Sequence, residues 1–188
     1  MPSARKSVPI LLLSCLAAFA QPAELTPAWD FRKSVEELKA QTARLTPLVE
    51  QVDPKNWIAK GAPEAYIGQW DALRAEIGYL IRTADALARD PEKTTVTLEA
   101  YLRLQAVEAM LGSLSQGVRR YQNPALADLL EAMVTENHNH RVRLREYLVE
   151  LVAAKEAELR IVDQEAQRCR AALIRQPVQS KKTESKRP

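Results

Sequence analysis

The chain of 188 residues has only 5 glycines, 2 cysteines and 2 histidines, and aromatic residues make up 5% of it. Each scarcity excludes something. Strands of a sandwich or barrel favour aromatic and β-branched residues, so the low aromatic content argues against a β fold. Two cysteines as far apart as Cys15 and Cys169 exclude a disulfide framework and the paired-cysteine signature of covalently attached haem. So few glycines leave no phosphate-cradling loop, and the chain contains neither a nucleophile elbow nor a His-Glu-x-x-His zinc motif. No catalytic constellation is visible, and the chain reads as non-enzymatic.

What is abundant is Ala, Leu, Glu, Arg and Gln, all strong helix formers. Hydrophobic residues make up 46% of the chain and charged ones 27%, enough apolar material for a packed core. The length suits one domain.

The N-terminus reads as an export signal. Arg5 and Lys6 precede an apolar run from Val8 to Ala20, and Ala18-Phe19-Ala20 forms a small-x-small cleavage site before Gln21. The run is too short to span a bilayer as a mature helix. Leu12-Leu13-Ser14-Cys15 also resembles a bacterial lipobox loosely, which makes Cys15 a candidate for lipidation. Both readings place the mature protein in the periplasm or outside a bacterial cell.

The formal net charge of +3 is unevenly spread. Two of the positive charges belong to Arg5 and Lys6. From residue 175 onward Arg175, Lys181, Lys182, Lys186 and Arg187 face Glu184 alone. The body between is slightly acidic. No clustered basic face for nucleic acid is expected.

Four segments carry apolar residues stepping by three and four. The first runs from about Asp30 to Val52 through Phe31, Val35, Leu38, Thr42, Leu45, Val49 and Val52; Pro47 predicts a kink or a restart there. The second runs from Pro63 to about Arg89 through Tyr66, Trp70, Leu73, Ile77, Leu80, Ala84 and Leu87. The third runs from about Thr95 to Gln122 through Leu104, Val107, Leu111, Leu114, Val118 and Tyr121, with Gly112 and Gly117 permitting a close crossing or a bend. The fourth opens on Asn123-Pro124, an N-cap followed by proline in the first turn. Its seam runs through Leu126, Leu130, Met133, Asn137, His140, Leu144, Leu148 and Leu151, and it reads on to about Ile174.

Short connections force neighbouring helices antiparallel. The expected fold is therefore all-α, an up-down-up-down four-helix bundle with a long, overhanging C-terminal helix. Residues 1–20 are the signal peptide, 21–29 a linker, 30–174 the bundle and 175–188 a disordered basic tail. Within the loop from Asp53 to Ala62, Asp53-Pro54 is suited to cap a single turn that folds Trp57 over the bundle end.

Residues 124–174 extend about 75 Å as one helix, and the second and third segments about 42 Å each. The fourth helix thus overhangs by about 35 Å, unless it breaks at residues 137–139. The overhang keeps an apolar line at Leu159, Val162, Ala166, Cys169 and Leu173, flanked by Glu156 with Arg160 and Glu165 with Arg168. Residues 21–35, a partner protein or a second copy of the chain are the candidates to cover it. Cys169 on that line is a candidate for an intermolecular disulfide.

The remaining chemistry is concentrated in Glu136-Asn137-His138-Asn139-His140. His138 and His140 point apart on a helix. Glu136 and His140, four apart, share a face and are the candidate metal ligands of an alternative reading, a periplasmic metal- or cofactor-binding four-helix bundle. The competing structural reading puts Asn137 and His140 in a polar layer that fixes helix register. No cofactor is otherwise implied. Trp57, Tyr66 and Trp70 read as core, or alternatively as a ligand pocket at the bundle end. The primary expectation is an exported scaffold or adaptor whose long last helix engages a protein partner or itself.

The exported chain is expected to begin at Gln21. Its intact mass checks this, and a diacylglycerol-modified chain beginning at Cys15 would instead establish lipidation.

Overall fold

The computed structural model describes residues 26–175. The expected signal segment with Cys15 and residues 176–188 of the expected basic tail lie outside the described residues, whereas Arg175, expected to open that tail, is still helical. The described part is all-helical. Five helices follow one another: α1 (Ala28–Val49), α2 (Pro54–Ile58), α3 (Ala65–Arg89), α4 (Thr94–Tyr121) and α5 (Pro124–Arg175).

The four long helices pack in a closed circuit. α1 touches α3 and α5, and α4 touches the same two. Every adjacent pair runs antiparallel, as particular contacts establish. Trp70 near the start of α3 donates to the carbonyl of Val49 at the end of α1, and Arg32 near the start of α1 donates to that of Ala88 at the end of α3. Arg103 pairs with Glu76 while Ser113 donates to Gln69, and Arg119 pairs with Asp128 and Glu131 while Glu108 pairs with Arg141. The hydroxyl of Thr26 donates to Glu150, so the start of α1 lies level with residue 150 of α5.

The three-and-four spacing becomes the core. Every seam residue of α1 is buried, and Leu73, Leu80, Leu111 and Leu130 are fully enclosed. Of the seam residues in the packed region, Tyr66, Trp70, Tyr121, His140 and Leu148 are only partly covered. Tyr147, off the expected line, is also buried, its ring stacked on Phe31 at 3.5 Å between centroids.

Helix ends follow local chemistry. Asp53 accepts from the amide of Asn56 and caps α2, with Pro54 in its first turn. Asn123 accepts from the amide of Ala125 at the start of α5. Gly61 takes φ +86°, a left-handed conformation that an L side chain resists, and so turns the chain out of α2.

Two expectations need correction. Pro47 causes no restart: α1 continues through it to Val49. The amide that Pro47 lacks falls in the last turn, where few further intrahelical bonds depend on it. Neither expected ion pair of the extension, Glu156 with Arg160 or Glu165 with Arg168, is formed among the described residues, and the Arg160 guanidinium donates instead to the Glu156 carbonyl. On an exposed helix face a carboxylate partner adds only a few tenths of a kcal/mol, too little to hold the side chain. The ion pair in this stretch is Lys155 with Glu158.

α5 is unbroken through residues 137–139 and is 52 residues long, against 28 for α4. Its last buried residue is Leu151. Residues 26–35 run alongside residues 143–150 and do not extend past them, as the contacts from Thr26 to Glu150 and from Arg143 to Ser34 fix. That part of the N-terminal segment leaves the later stretch of α5 uncovered.

Gly117 and Gly112 differ sharply. A Cβ at Gly117 would lie 2.8 Å from both the Trp57 and Tyr66 rings, whereas one at Gly112 meets nothing within 4 Å. Gly117→Ala is expected to lower stability by about 1–2 kcal/mol, overpacking outweighing the gain in helix propensity. Gly112→Ala is expected to raise it by up to about 1 kcal/mol. Urea melts of the two variants check the contrast.

Candidate functional site

Three places carry chemistry: the α1–α5 face around His140, the α4–α5 groove around Glu108, and the α5 extension.

At the first, Gln41 of α1 reaches between Glu136 and His140. Its amide nitrogen donates to Glu136 at 2.6 Å, and its amide oxygen lies 2.6 Å from His140 Nε2. An acceptor at that distance requires the imidazole to carry its proton on Nε2. The two expected ligands are therefore brought together, but through an amide that takes up the ring nitrogen facing it. Among the described residues no cluster of three or more His, Cys, Asp or Glu is placed to hold a metal ion. His140 is half-buried, and burial lowers its pKa below the ordinary 6.5, opposed by nearby Glu37 and reinforced by Arg143.

Asn137, rather than His140, is the polar residue at the centre of the seam. It is fully buried, and neither amide atom meets a protein hydrogen-bond partner. Each such group costs about 1–3 kcal/mol relative to a satisfied one.

The second place was not legible from the sequence. Glu108 of α4 is 9% exposed. One carboxylate oxygen pairs with Arg141 at 3.2 Å, and the other is buried without a partner. Arg141 also meets His138 Nδ1 at 2.8 Å. Burial raises the Glu108 pKa, and the charges of Arg141 and His138 act against that rise. These side chains, with Gln105, line an open groove of about 610 Å³ between α4 and α5. The one available signal was spacing: Glu108 follows Leu104 by four and precedes Leu111 by three, a seam position occupied by a charge.

No family model, curated protein or solved structure matches the chain. What its surfaces do must therefore be read from their own chemistry.

In the aromatic group at the end where α1 meets α3, Trp57 is core, and Tyr66 and Trp70 pack against the core while partly covered. Trp57 is 1% exposed, and its ring meets Tyr66 edge-on and Tyr121 more nearly parallel. Its Nε1–H donates to the Gln122 side-chain oxygen, which also accepts from the amide of Asp53. Gln122 in turn donates to the carbonyl of Gln51. Trp70 is tied to the α1 terminus instead. The hydrogen-bonding role of Gln122 had no sequence signature, because it depends on where α2 lands.

The third place is the continuation of α5. Leu159, Val162 and Leu173 are 68%, 61% and 69% exposed, and Cys169 is an exposed free thiol. Eighteen residues make five helical turns, so Val162 lies on the same line as buried Leu126 and Leu144. The core-facing stripe thus runs straight off the end of the packed region and stays apolar. No helix among the described residues is long and apolar enough to cross a membrane.

His140 gives a pH prediction. A folded pKa below the unfolded value means that stability is complete above about 6.5 and is lost as pH falls through the folded pKa. In His140→Leu this loss is expected to vanish while the helical fold persists. Unfolding free energies from pH 7.5 to 5 in both proteins check it; equal slopes would remove His140 as the cause.

Proposed function

We propose that the chain is an exported, non-enzymatic scaffold or adaptor of the bacterial envelope. In this reading it is an up-down-up-down four-helix bundle whose last helix overhangs the body and engages a protein partner or another copy of itself. The observation that carries it is the exposed apolar line from Leu159 to Leu173, in register with the buried face of the same helix. Soluble proteins expose single apolar side chains routinely, but a contiguous apolar stripe marks a surface that another molecule covers. A helix face with anchors stepping by three and four is the kind of element that docks on a second helix.

The body's part is to fix the stripe in space. Residues 126–151 are clamped into the core, so the overhang projects as a rigid continuation rather than a loose tail. Residues 152–175 extend about 36 Å. Export follows from the N-terminal segment, with release at Gln21 or anchoring through Cys15 as the two routes.

A photoreactive amino acid at Val162 tests the proposal in the exported protein, with Leu129 as an exposed position on the same helix within the body. Adducts are expected at Val162 several-fold in excess of those at Leu129. Equal or absent adducts would overturn the reading. So would stoichiometric metal or a visible absorption band in the purified protein that is lost in His140→Leu, which would favour the metal- or cofactor-binding alternative.

A further inference from the structure

We infer that the overhang is covered by the overhang of a second copy, crossing it antiparallel; this rests on the proposed role of the last helix. The charge pattern along the exposed stretch selects the occupant and its direction. Residues 156–165 carry Glu156, Glu158, Asp163 and Glu165 against Arg160 alone. Residues 166–175 carry Arg168, Arg170 and Arg175 and no acid. One half is thus net −3 and the other net +3. A parallel, in-register pair sets acid beside acid and base beside base. An antiparallel pair sets each acidic half on the partner's basic half, with the two-fold axis between residues 165 and 166. Such an interface is isologous and closes at two copies.

The apolar line has the repeat a paired helix needs. Leu159, Val162, Ala166, Cys169 and Leu173 alternate steps of three and four without a break, the seam of a two-helix coil. Other coverings from within the chain fall short. Residues 21–25, the part of a chain cleaved before Gln21 that precedes Thr26, reach at most about 18 Å fully extended, half the length of the overhang. Residues 176–188 contain Val178 as their only aliphatic side chain apart from proline.

The arrangement has a consequence for Cys169. With the axis between 165 and 166, the two Cys169 residues are separated by about 10 Å along the helices at 1.5 Å per residue. A disulfide needs Cα atoms within about 7 Å. The antiparallel pair therefore withdraws the intermolecular Cys169 disulfide that a parallel pair would form. A cysteine at position 166 sits beside the axis and meets its counterpart.

The test uses the full exported chain. Sedimentation at tens of micromolar is expected to give a dimer for wild type and a monomer for a chain cut after Leu151. Under mild oxidation, Ala166→Cys in a Cys169→Ser background is expected to cross-link at least about tenfold faster than wild type through Cys169. Equal rates, or faster wild type, would overturn the antiparallel crossing, as would a wild-type monomer. Lysine at Glu156, Glu158, Asp163 and Glu165 is expected to abolish the dimer, and adding glutamate at Arg168, Arg170 and Arg175 to restore it; a dimer indifferent to the first change would also overturn the proposal. Photo-adducts from Val162 separate this inference from the reading it rests on. Adducts of two copies support both, adducts with a different protein overturn self-pairing alone, and no adducts overturn both.

Discussion

Helices of unequal length packed antiparallel leave the longest one partly uncovered, and this mismatch governs the molecule. α1, α3 and α4 have 22, 25 and 28 residues, and α5 has 52. Because Asn123-Pro124 starts α5 level with the end of α4, all the excess falls at the opposite end, past the contact between Thr26 and Glu150. The surplus cannot fold back, since α5 has no break at residues 137–139. An apolar face that continues into solvent is hydrophobically unfavourable by about 25 cal/mol per Å² relative to burial. Pairing with another surface is the direct way to relieve it.

The packed part tolerates polar groups at the seam and its flanks, and these share a level. Asn137 and Glu108 both sit where aliphatic side chains would pack better, and each leaves polar atoms unmatched. In paired helices a buried polar residue lowers stability while penalising shifted registers. Gln41, bonded to both Glu136 and His140, ties α1 to α5 close to Asn137 in sequence and reinforces that register from outside. The run from Glu136 to His140 is thereby joined to α1 by an amide. Arg141, which meets the buried Glu108 carboxylate from α5, lines the groove beside it.

At the far end the bundle is closed by a side chain rather than a loop. Trp57 is delivered by the single turn of α2 and lodges against Tyr66, Tyr121 and the bare backbone of Gly117. Gln122 then satisfies the indole and two backbone groups left at the ends of the chain segments. Sealing this end makes the two ends of the molecule unlike: one is finished, and the other carries the exposed helix.

The sequence by itself determined the helices, their seams and their ends, because these depend on spacing, capping chemistry and propensity, which are local. Leu73, Ile77, Leu111 and Leu130 were legible as core from their positions on a repeat, and the single turn at Asp53-Pro54 from its cap. The tertiary structure alone decided what those local rules leave open. Whether α5 stays whole between residues 137 and 139 depends on neighbours supporting a polar stretch of weak helix formers. Whether Glu136 and His140 meet an open coordination space or the amide of Gln41 depends on the rotation of α1 about its axis. Glu108 meets its one charged partner because Arg141 arrives from another helix, and Gly117 is needed because Trp57 arrives from α2. In each case the deciding contact joins residues far apart in the chain, and neither partner carries a mark of the other in its own surroundings.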